Sequence, residues 1–325
     1  MRTGCDVVVC TLFEGNYHHG VACLANSLYA NNFRGIIYVG FRGKLPAWTA
    51  SGQVLEIDKW NTATVLDVTA DLQLIFLALD TEHHLTNYKP DFMLELLDGP
   101  ASSADAIFYF DPDIVVAKDW LFFQQWVSCG VALCEDINSP IPANHPRRIG
   151  WRRYFANHGL PLIAKGARYV NGGAIGIRRE HSEFLETWQR FNELMGQTIG
   201  GLSVTRIVGG NRFVNTGFAN CFDIADQDAL NASTEACISP LTIIGQEAMG
   251  FKPGVALLPH ALGPGKPWER SYLKSAVLGY PPRLVDKLYW NHAIGPIRVH
   301  SKFRVKLKRI AVKVGSFIGR FYIRR

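Results

Sequence analysis

The sequence predicts an α/β domain whose strands present polar residues at their carboxyl ends. At the amino terminus an apolar strand over 6–12, a glycine-containing turn and a helix over about 19–30 precede further strands. The apolar run 106–110 shows no polar alternation, which is typical of a strand buried on both faces of a sheet. Two acids, Asp111 and Asp113, follow this run directly. In sheets of this class ligands bind beyond the carboxyl ends of the strands, so we expect the site there.

The remaining elements are predicted from apolar runs and periodic patterns along the chain. Strands are expected over 35–40, 53–57, 131–134 and 169–177, and helices over 91–97, 119–126 and 180–194. A further helix is expected to start at 226, where acids in the first turn favour a helix amino terminus. Near the end, a strand from 257 should lead into a Gly- and Pro-rich loop that presents a histidine and a lysine.

The Asp-Pro-Asp segment after 106–110 is the first candidate site. An unpaired carboxylate in an apolar core is costly, so Asp111 and Asp113 need a cation or water. Pro112 favours extended geometry before it, and in an extended chain residues i and i+2 point the same way. Two carboxylates on one side suit Mg²⁺ or Mn²⁺ shared with a diphosphate. The alternative is a solvated acidic turn.

Composition places the chain among ordinary globular proteins. It has 325 residues, of which 48% are hydrophobic and 19% charged. No run approaches the eighteen or so apolar residues of a membrane span, and Asp6 interrupts the segment in which a signal peptide would be apolar. The seven cysteines show no zinc-binding spacing. We therefore expect a cytoplasmic protein with reduced cysteines.

Positive charge is concentrated at the carboxyl terminus. Residues 298–325 hold ten of the 34 basic residues and no acid, so the 24 basic residues of 1–297 are outnumbered by 28 acids. A nucleic-acid-binding protein would carry basic groups over a docking surface, so we expect no nucleic-acid partner. The chain is accordingly divided into a main domain, 1–297, that carries the candidate sites, and a basic tail, 298–325.

The tail also has a regular apolar pattern. Its apolar residues recur at alternating spacings of four and three: Phe303, Leu307, Ile310, Val314, Phe317 and Phe321. On a helix they form one stripe flanked by basic residues, which predicts a segment that lies on an anionic membrane surface. The alternatives are a helix packed on the domain and, because 302–308 alternates strictly, an edge strand.

Other segments admit two interpretations or exclude a class. The first turn lacks both the G-x-G-x-x-G dinucleotide fingerprint and the P-loop, which excludes those two classes. Tyr17 either stacks on a base or packs at the helix start, and Lys89 either faces a phosphate or is solvated. The long connection 139–153 carries four arginines that either grip an anionic acceptor or form a solvated loop.

Five segments follow one another along the chain: N-Y-x-x-G at Asn16–Gly20, D-x-D at Asp111–Asp113, N-x-G at Asn171–Gly173, D-Q at Asp226–Asp228 and H-x-x-G-x-x-K-P-W at His260–Trp268. In this order they resemble the motifs of glycosyltransferase family 8, the retaining enzymes that include glycogenin and bacterial lipooligosaccharide galactosyltransferases. The resemblance implies a GT-A fold, the nucleotide-diphospho-sugar transferase fold, as a single domain with a mixed, mostly parallel sheet flanked by helices.

The resemblance also implies a function and assigns residues to it. It implies metal-dependent transfer of a hexose from a UDP-sugar donor to a saccharide or glycolipid acceptor, with Mn²⁺ preferred and Mg²⁺ as the alternative. The metal ligands would be Asp111, Asp113 and His260. The donor-binding group would be Thr11, Tyr17, Lys89, Asn171, Gly263 and Lys266, and the catalytic group Gln227, Asp136 and Asp228.

Two questions of mechanism and class remain open in the sequence. Gln227 is an amide, which favours front-face attack in which the departing phosphate deprotonates the acceptor, but Asp136 or Asp228 is an alternative nucleophile. The alternative functions are a non-catalytic nucleotide-sugar-binding protein and a nucleotidyltransferase. A nucleotidyltransferase would carry a G-x-G-T-R type signature, and residues 11–17 do not contain one.

Overall fold

Strands and helices alternate through most of the chain. The computed structural model describes residues 6–204 and 221–322. Its strands are β1 (Val7–Glu14), β2 (Gly35–Arg42), β3 (Gln53–Ile57), β4 (Trp60–Thr69), β5 (Leu72–Ala78), β6 (Ala106–Phe110), β7 (Val131–Glu135), β8 (Val170–Arg178) and β9 (Leu241–Ile244). Its helices are α1 (His18–Ala30), α2 (Lys89–Asp98), α3 (Trp120–Val127), α4 (Pro146–Asn157), α5 (Glu183–Ile199), α6 (Ala225–Ala236), α7 (Tyr272–Val277), α8 (Leu284–His292) and α9 (Lys302–Ile318).

The strands form one nine-stranded sheet in the order β3-β4-β5-β2-β1-β6-β8-β7-β9. β1 pairs in parallel with β2 and β6, β2 with β5, and β7 with β9. Among the strands of the described ranges, β4 and β8 run against the common direction of the others. The expected mixed, mostly parallel sheet is therefore confirmed. Strand order reverses at β1, between β2 and β6, which is where a sheet of this kind opens a crevice.

Helices cover both faces of the sheet because the central strands are apolar on both sides. In β1, Val8 faces a core that includes Phe92 of α2 and Trp188 of α5. Its neighbour Val9 faces the opposite core, which includes Leu24 of α1 and Phe123 of α3. This alternation follows the two-residue period of a strand and fixes which side chains reach the site edge.

Two segments differ from their prediction. The connection 139–153 contains the start of α4, because Pro146 occupies the first helical turn, where its missing N–H costs nothing, after the cap His145. Its arginines are not a solvated loop, since Arg148 is buried against Glu235. The strand expected from 257 is reduced to an isolated bridge between His260 and Ile114. Pro259 has no N–H to continue a ladder, which explains the interruption.

The tail is helical over α9 and packs on the domain, so the edge strand expected as an alternative over 302–308 is not formed. Its last residues, 323–325, lie outside the described part. Val305 and Val312 are buried against Trp268, Tyr272 and Trp290. The apolar stripe predicted from the sequence lies on the exposed side instead: its six members are between 44% and 76% exposed. Among the described helices, none is long and apolar enough to cross a bilayer.

Candidate active site

A cavity of about 320 Å³ opens at the switch point of the sheet. The carboxyl ends of β1 and β6, the amino end of β8 and the start of α6 contribute to its walls. The loop that follows His260 closes another side, through Leu262, Gly263 and Lys266. Antiparallel β8 brings its amino end to this edge because its register with β6 pairs Phe110 with Ala174. The predicted position of the site, beyond the strand ends, is thus the position of a cavity.

Asp111, Asp113 and His260 come together in this cavity. One ligand atom from each lies within 4.8 Å of the others. Nε2 of His260 is 3.1 Å from Oδ1 of Asp113 and 3.6 Å from Oδ2 of Asp111. Backbone bonds fix the cluster: Asp111 donates to the Gly173 carbonyl at 2.8 Å, and the bridge from Ile114 holds His260 beside the Asp-Pro-Asp turn.

Lys266 pairs with the same cluster. Its Nζ lies 2.5 Å from Oδ2 of Asp113 and donates to the Ala261 carbonyl at 2.8 Å. Burial alone would raise the pKa of Asp113, but His260 and Lys266 outweigh it and hold that pKa well below its usual range. Burial alone would lower the pKa of Lys266. Its pairing with Asp113 has the larger and opposite effect, so the pKa of Lys266 is raised. The pair is therefore ionised at neutral pH.

Lys89 lies beneath the cluster and is 2% exposed. Its Nζ donates to the Gly172 carbonyl at 2.8 Å and lies 3.2 Å from Asp111 and 3.3 Å from Asp226. Burial alone would lower the pKa of Lys89. The two carboxylates have the larger and opposite effect, so the pKa is raised and the amine stays charged. The solvated alternative for Lys89 is wrong, because the residue is a buried counter-ion at the wall of the cavity, and its contact with a phosphate stays a prediction.

An amide network joins β8 to α6. Nδ2 of Asn171 donates to Asp136 at 2.6 Å, and the backbone N–H of Gly172 donates to Oε1 of Gln227 at 3.2 Å. Oδ1 of Asn171 accepts from the Gly173 N–H at 2.9 Å. Nε2 of Gln227 is buried without a hydrogen bond of normal geometry among the described residues, but the side chain also interacts with the Tyr169 hydroxyl behind the wall, whose pKa it lowers against the larger effect of burial. Gln227 itself lines the cavity.

Asp136 and Asp228 stand behind the wall rather than at it. Asp228 is fully buried and accepts from Tyr169 Oη at 2.7 Å and from the backbone N–H groups of Asp223 and Ile224. Burial raises its pKa to about 6, against the opposing effect of Arg147. Among the described residues that line the cavity, neither acid is present.

Some of the predicted donor-binding residues line the cavity, and one lies behind its wall. Tyr17 and Gly263 line the cavity, and Lys266 lies over the Tyr17 ring at 5.5 Å from its centroid. Thr11 is instead fully buried inside β1, beside Val39 of β2, and its hydroxyl has no partner among the described residues. Leu12, Phe13 and Glu14 reach the cavity in its place.

Sequence reasoning missed residues that complete the site. Tyr109 donates to Oδ1 of Asp111 at 2.8 Å, and Asp226 pairs with Lys89. His84 and Thr86 form part of the wall from the loop before α2. The two-residue period of β6 places Tyr109 on the same side as Asp111 and was a usable signal. The loop that contains His84 and Thr86 carried no such signal, because its position depends on tertiary packing.

The residues present fit a divalent metal ion. Two carboxylates and one imidazole are the oxygen and nitrogen donors that such ions accept. Gly173 keeps the space between them open: a Cβ there would lie 2.7 Å from Cε1 of His260 and 2.8 Å from Oδ2 of Asp111. Gly20 leaves room for the Asp-Pro-Asp turn in the same way, since a Cβ at this position would clash with the Pro112 carbonyl.

Comparison with known proteins identifies the fold. Neither a protein-family model nor a curated protein sequence matches the chain. Galactosyltransferase LgtC, solved with donor and acceptor sugar analogues, aligns with a TM-score of 0.51 and 15% identity over 93% of this chain and 99% of its own. The glycosyltransferase GlyE of Streptococcus pneumoniae TIGR4 aligns with a TM-score of 0.51 and 14% identity, over 96% of this chain and 64% of its own.

The bifunctional glycosyltransferase WbbM gives a TM-score of 0.50 and 14% identity, over 95% of this chain and 52% of its own. Each alignment covers more than nine-tenths of this chain. At this level of identity the likeness concerns the fold. The chain has the GT-A-like α/β fold of these glycosyltransferases, with a cluster of two aspartates and one histidine at the carboxyl ends of its strands.

Proposed function

We propose that this protein is a retaining, metal-dependent glycosyltransferase related to family 8, which moves a hexose from a UDP-sugar to a saccharide or lipid-linked acceptor. The observation that carries the proposal is the meeting of Asp111, Asp113 and His260 in the cavity of a GT-A-like fold. The ordered family motifs support membership of the family. Mn²⁺ is the preferred ion because an imidazole ligand favours it over Mg²⁺.

The charged residues suit a diphosphate leaving group. Asp111, Asp113 and His260 would hold the metal, which when bound offsets the charge that develops on the departing phosphate. Lys266 contacts Asp113 and Tyr17 lies beside it, so the amine can exchange its carboxylate partner for a phosphate oxygen at the same place. Lys89 pairs with Asp111 and holds it in position from below.

Gln227 is the residue that we assign to the donor sugar. Gln227 lines the cavity while its Oε1 stays bonded to the Gly172 N–H, so its side chain can contact the sugar at the wall. The carboxylate oxygens of Asp136 and Asp228 already accept hydrogen bonds from Asn171, Tyr169 and backbone N–H groups. This supports a positioning role for both acids. The other two carboxylates at the wall among the described residues, Glu14 and Asp226, are paired with Arg42 and Lys89, so front-face attack is the favoured route.

Incubating the protein with individual UDP-sugars and Mn²⁺, and measuring UDP release with and without EDTA, tests the proposal. We expect one sugar nucleotide to be turned over, with loss of release in EDTA. Binding of a UDP-sugar without release in the presence of candidate acceptors would instead indicate a non-catalytic binding protein. Trapping a covalent glycosyl adduct on Asp136 or Asp228 would refute the front-face route.

The acceptor side of the proposal involves the membrane. α9 is packed through Val305 and Val312, which leaves its apolar stripe exposed beside basic residues, as an interfacial helix on an anionic cytoplasmic leaflet requires. Deleting the tail would uncover Trp290, so paired substitutions Phe317→Ser and Phe321→Ser are the better test. We expect them to abolish sedimentation with anionic vesicles at low salt. Unchanged sedimentation would remove the membrane contact.

A further inference from the structure

A second cavity, of about 570 Å³, lies between α8 and α9 on the side of the molecule formed by the tail. Four of its lining side chains are cationic: Lys287, Arg309, Lys313 and Arg320. No lining residue within the described part of the chain is acidic. Four like charges around one cavity repel each other, and an anion bound between them would relieve that repulsion.

Neighbouring acids do not neutralise this cluster. α9 contains no Asp or Glu, and the acid of α8, Asp286, is fully buried and already paired with Arg270 and Arg283. Arg309 is held in place because its Nε donates to the Trp290 carbonyl at 2.9 Å and its Nη2 to the Asn291 carbonyl at 3.0 Å. Two of its five N–H donors are used in these bonds, so donors remain for a ligand.

A neutral hydroxyl completes the set of donors. Oγ of Ser316 is buried and has no partner among the described residues, although a helical serine can bond to the carbonyl four residues before it. An anchored guanidinium, two lysines and a hydroxyl are the donors that recognise a phosphate group.

The apolar stripe of α9 identifies the source of that phosphate. Phe317 belongs both to the cavity wall and to the exposed stripe. Since a helix turns about 100° per residue, Leu307 and Val314 lie opposite the docked Val305 and Val312, and Lys313 and Arg320 lie along one flank of the stripe. An anion in the cavity would therefore sit at the edge of an apolar surface, which is the position of a headgroup phosphate at a bilayer surface.

We propose that the α8–α9 cavity is a phosphate-binding site that takes the phosphate of an anionic lipid headgroup. The inference rests on the proposed membrane contact of α9 and is independent of glycosyl transfer. The probes are phosphatidylcholine vesicles that contain either phosphatidic acid or, at matched surface charge, oleic acid, whose carboxylate carries no phosphate. Inorganic phosphate alone, followed by phosphorus NMR, reports binding of a soluble source.

Lys313→Gln and Lys306→Gln form a matched pair, since both lie on α9 seven positions apart and only Lys313 lines the cavity. We expect the unaltered protein to prefer phosphatidic acid. Lys306→Gln should weaken binding to both vesicles by about fivefold, the effect of one basic side chain near the surface, and keep the preference. Lys313→Gln should weaken phosphatidic acid binding by about tenfold or more and lose the preference.

Three results would overturn the proposal. They are equal effects of the two substitutions, a lack of preference for phosphatidic acid in the unaltered protein, and saturable binding of inorganic phosphate that does not require vesicles. Vesicle binding needs neither donor nor metal, so these results do not depend on whether UDP is released.

Discussion

Nε2 of His260 lies 3.1 Å from Oδ1 of Asp113, although 147 positions separate the two residues. Lys266 occupies the other oxygen of the same carboxylate at 2.5 Å. Both oxygens of Asp113 are thus engaged by groups from one loop, and the isolated bridge at Ile114 sets the distance. The candidate metal site depends on this loop as much as on the strand that delivers the acids.

Asp113→Asn should lower the rate of UDP release by roughly a hundredfold or more, or about 2.7 kcal/mol, because it removes a charge from the ligand set while preserving side-chain shape. Asp119→Asn is the matched control: Asp119 caps α3 away from the cavity, and asparagine caps equally well. Thermal unfolding followed by circular dichroism checks that both variants fold. Near-normal release from Asp113→Asn with Mn²⁺ would remove the metal assignment.

Gly173→Ala should weaken Mn²⁺ binding, measured by calorimetry, by about tenfold or more. Its Cβ would stand within 2.8 Å of both His260 and Asp111, so a ligand must shift. Gly172→Ala is the control, because its nearest contact is Oδ2 of Asp226 at 3.1 Å, outside the ligand set. If both variants bind Mn²⁺ as the unaltered protein does, the three residues are not the ligands.

Gln227→Glu tests the amide at the cavity wall. Glutamate keeps the oxygen that accepts from the Gly172 N–H and loses the Nε2 donor, which makes no hydrogen bond of normal geometry within the described residues, so the fold should be retained. We expect the turnover rate to fall by about tenfold or more, a loss of about 1.4 kcal/mol, while Mn²⁺ affinity is unchanged. Steady-state kinetics beside metal titration separate the two effects. Equal loss of metal affinity would place Gln227 in the metal site instead.

Lys89→Met should lower the free energy of unfolding by about 3–5 kcal/mol, because it leaves the buried Asp226 and the partly buried Asp111 without their shared cation. Adding Asp226→Asn should recover part of this loss. Lys59→Met is the control, since its pair with Glu95 is half exposed and should contribute about 1 kcal/mol or less. Urea unfolding measures all three, and additive effects of the two buried substitutions would contradict the coupling.

Stability should decrease as the pH falls from about 6.5 towards 4, because of stacked His19 and His300. Their ring centroids lie 4.9 Å apart, and burial, with the nearby His18 and Arg304 charges, lowers the pKa of each from 6.5 to about 4. In that range the unfolded chain takes up protons that the folded protein does not, which favours unfolding.

Urea unfolding midpoints at pH 7 and pH 5 test this dependence. His19→Phe should make the midpoint less dependent on pH, since it keeps the stacking and removes one titrating ring. The same change at exposed His158 should leave the dependence as it was. An identical pH dependence in all three proteins would exclude the stacked pair as its source.

Local sequence was sufficient for most of the elements. The apolar run 106–110 specified β6 and placed Asp111 and Asp113 at its end, because burial on both faces leaves only the strand end open to carboxylates. The acids of 226–228 lie in the first turn of α6 as expected. Such patterns are readable because strand and helix periods are properties of neighbouring residues.

Tertiary structure alone decided which of the candidate residues meet. It brought His260 and Lys266 to Asp113, placed Lys89 beneath Asp111 and set Asp228 and Thr11 behind the cavity wall. It also decided that α9 packs through Val305 and leaves its apolar stripe exposed. The sequence predicted that stripe, but the side of a helix that is buried depends on the surface that receives it, and that surface is built by α7, α8 and Trp268, which the apolar pattern of the tail does not specify.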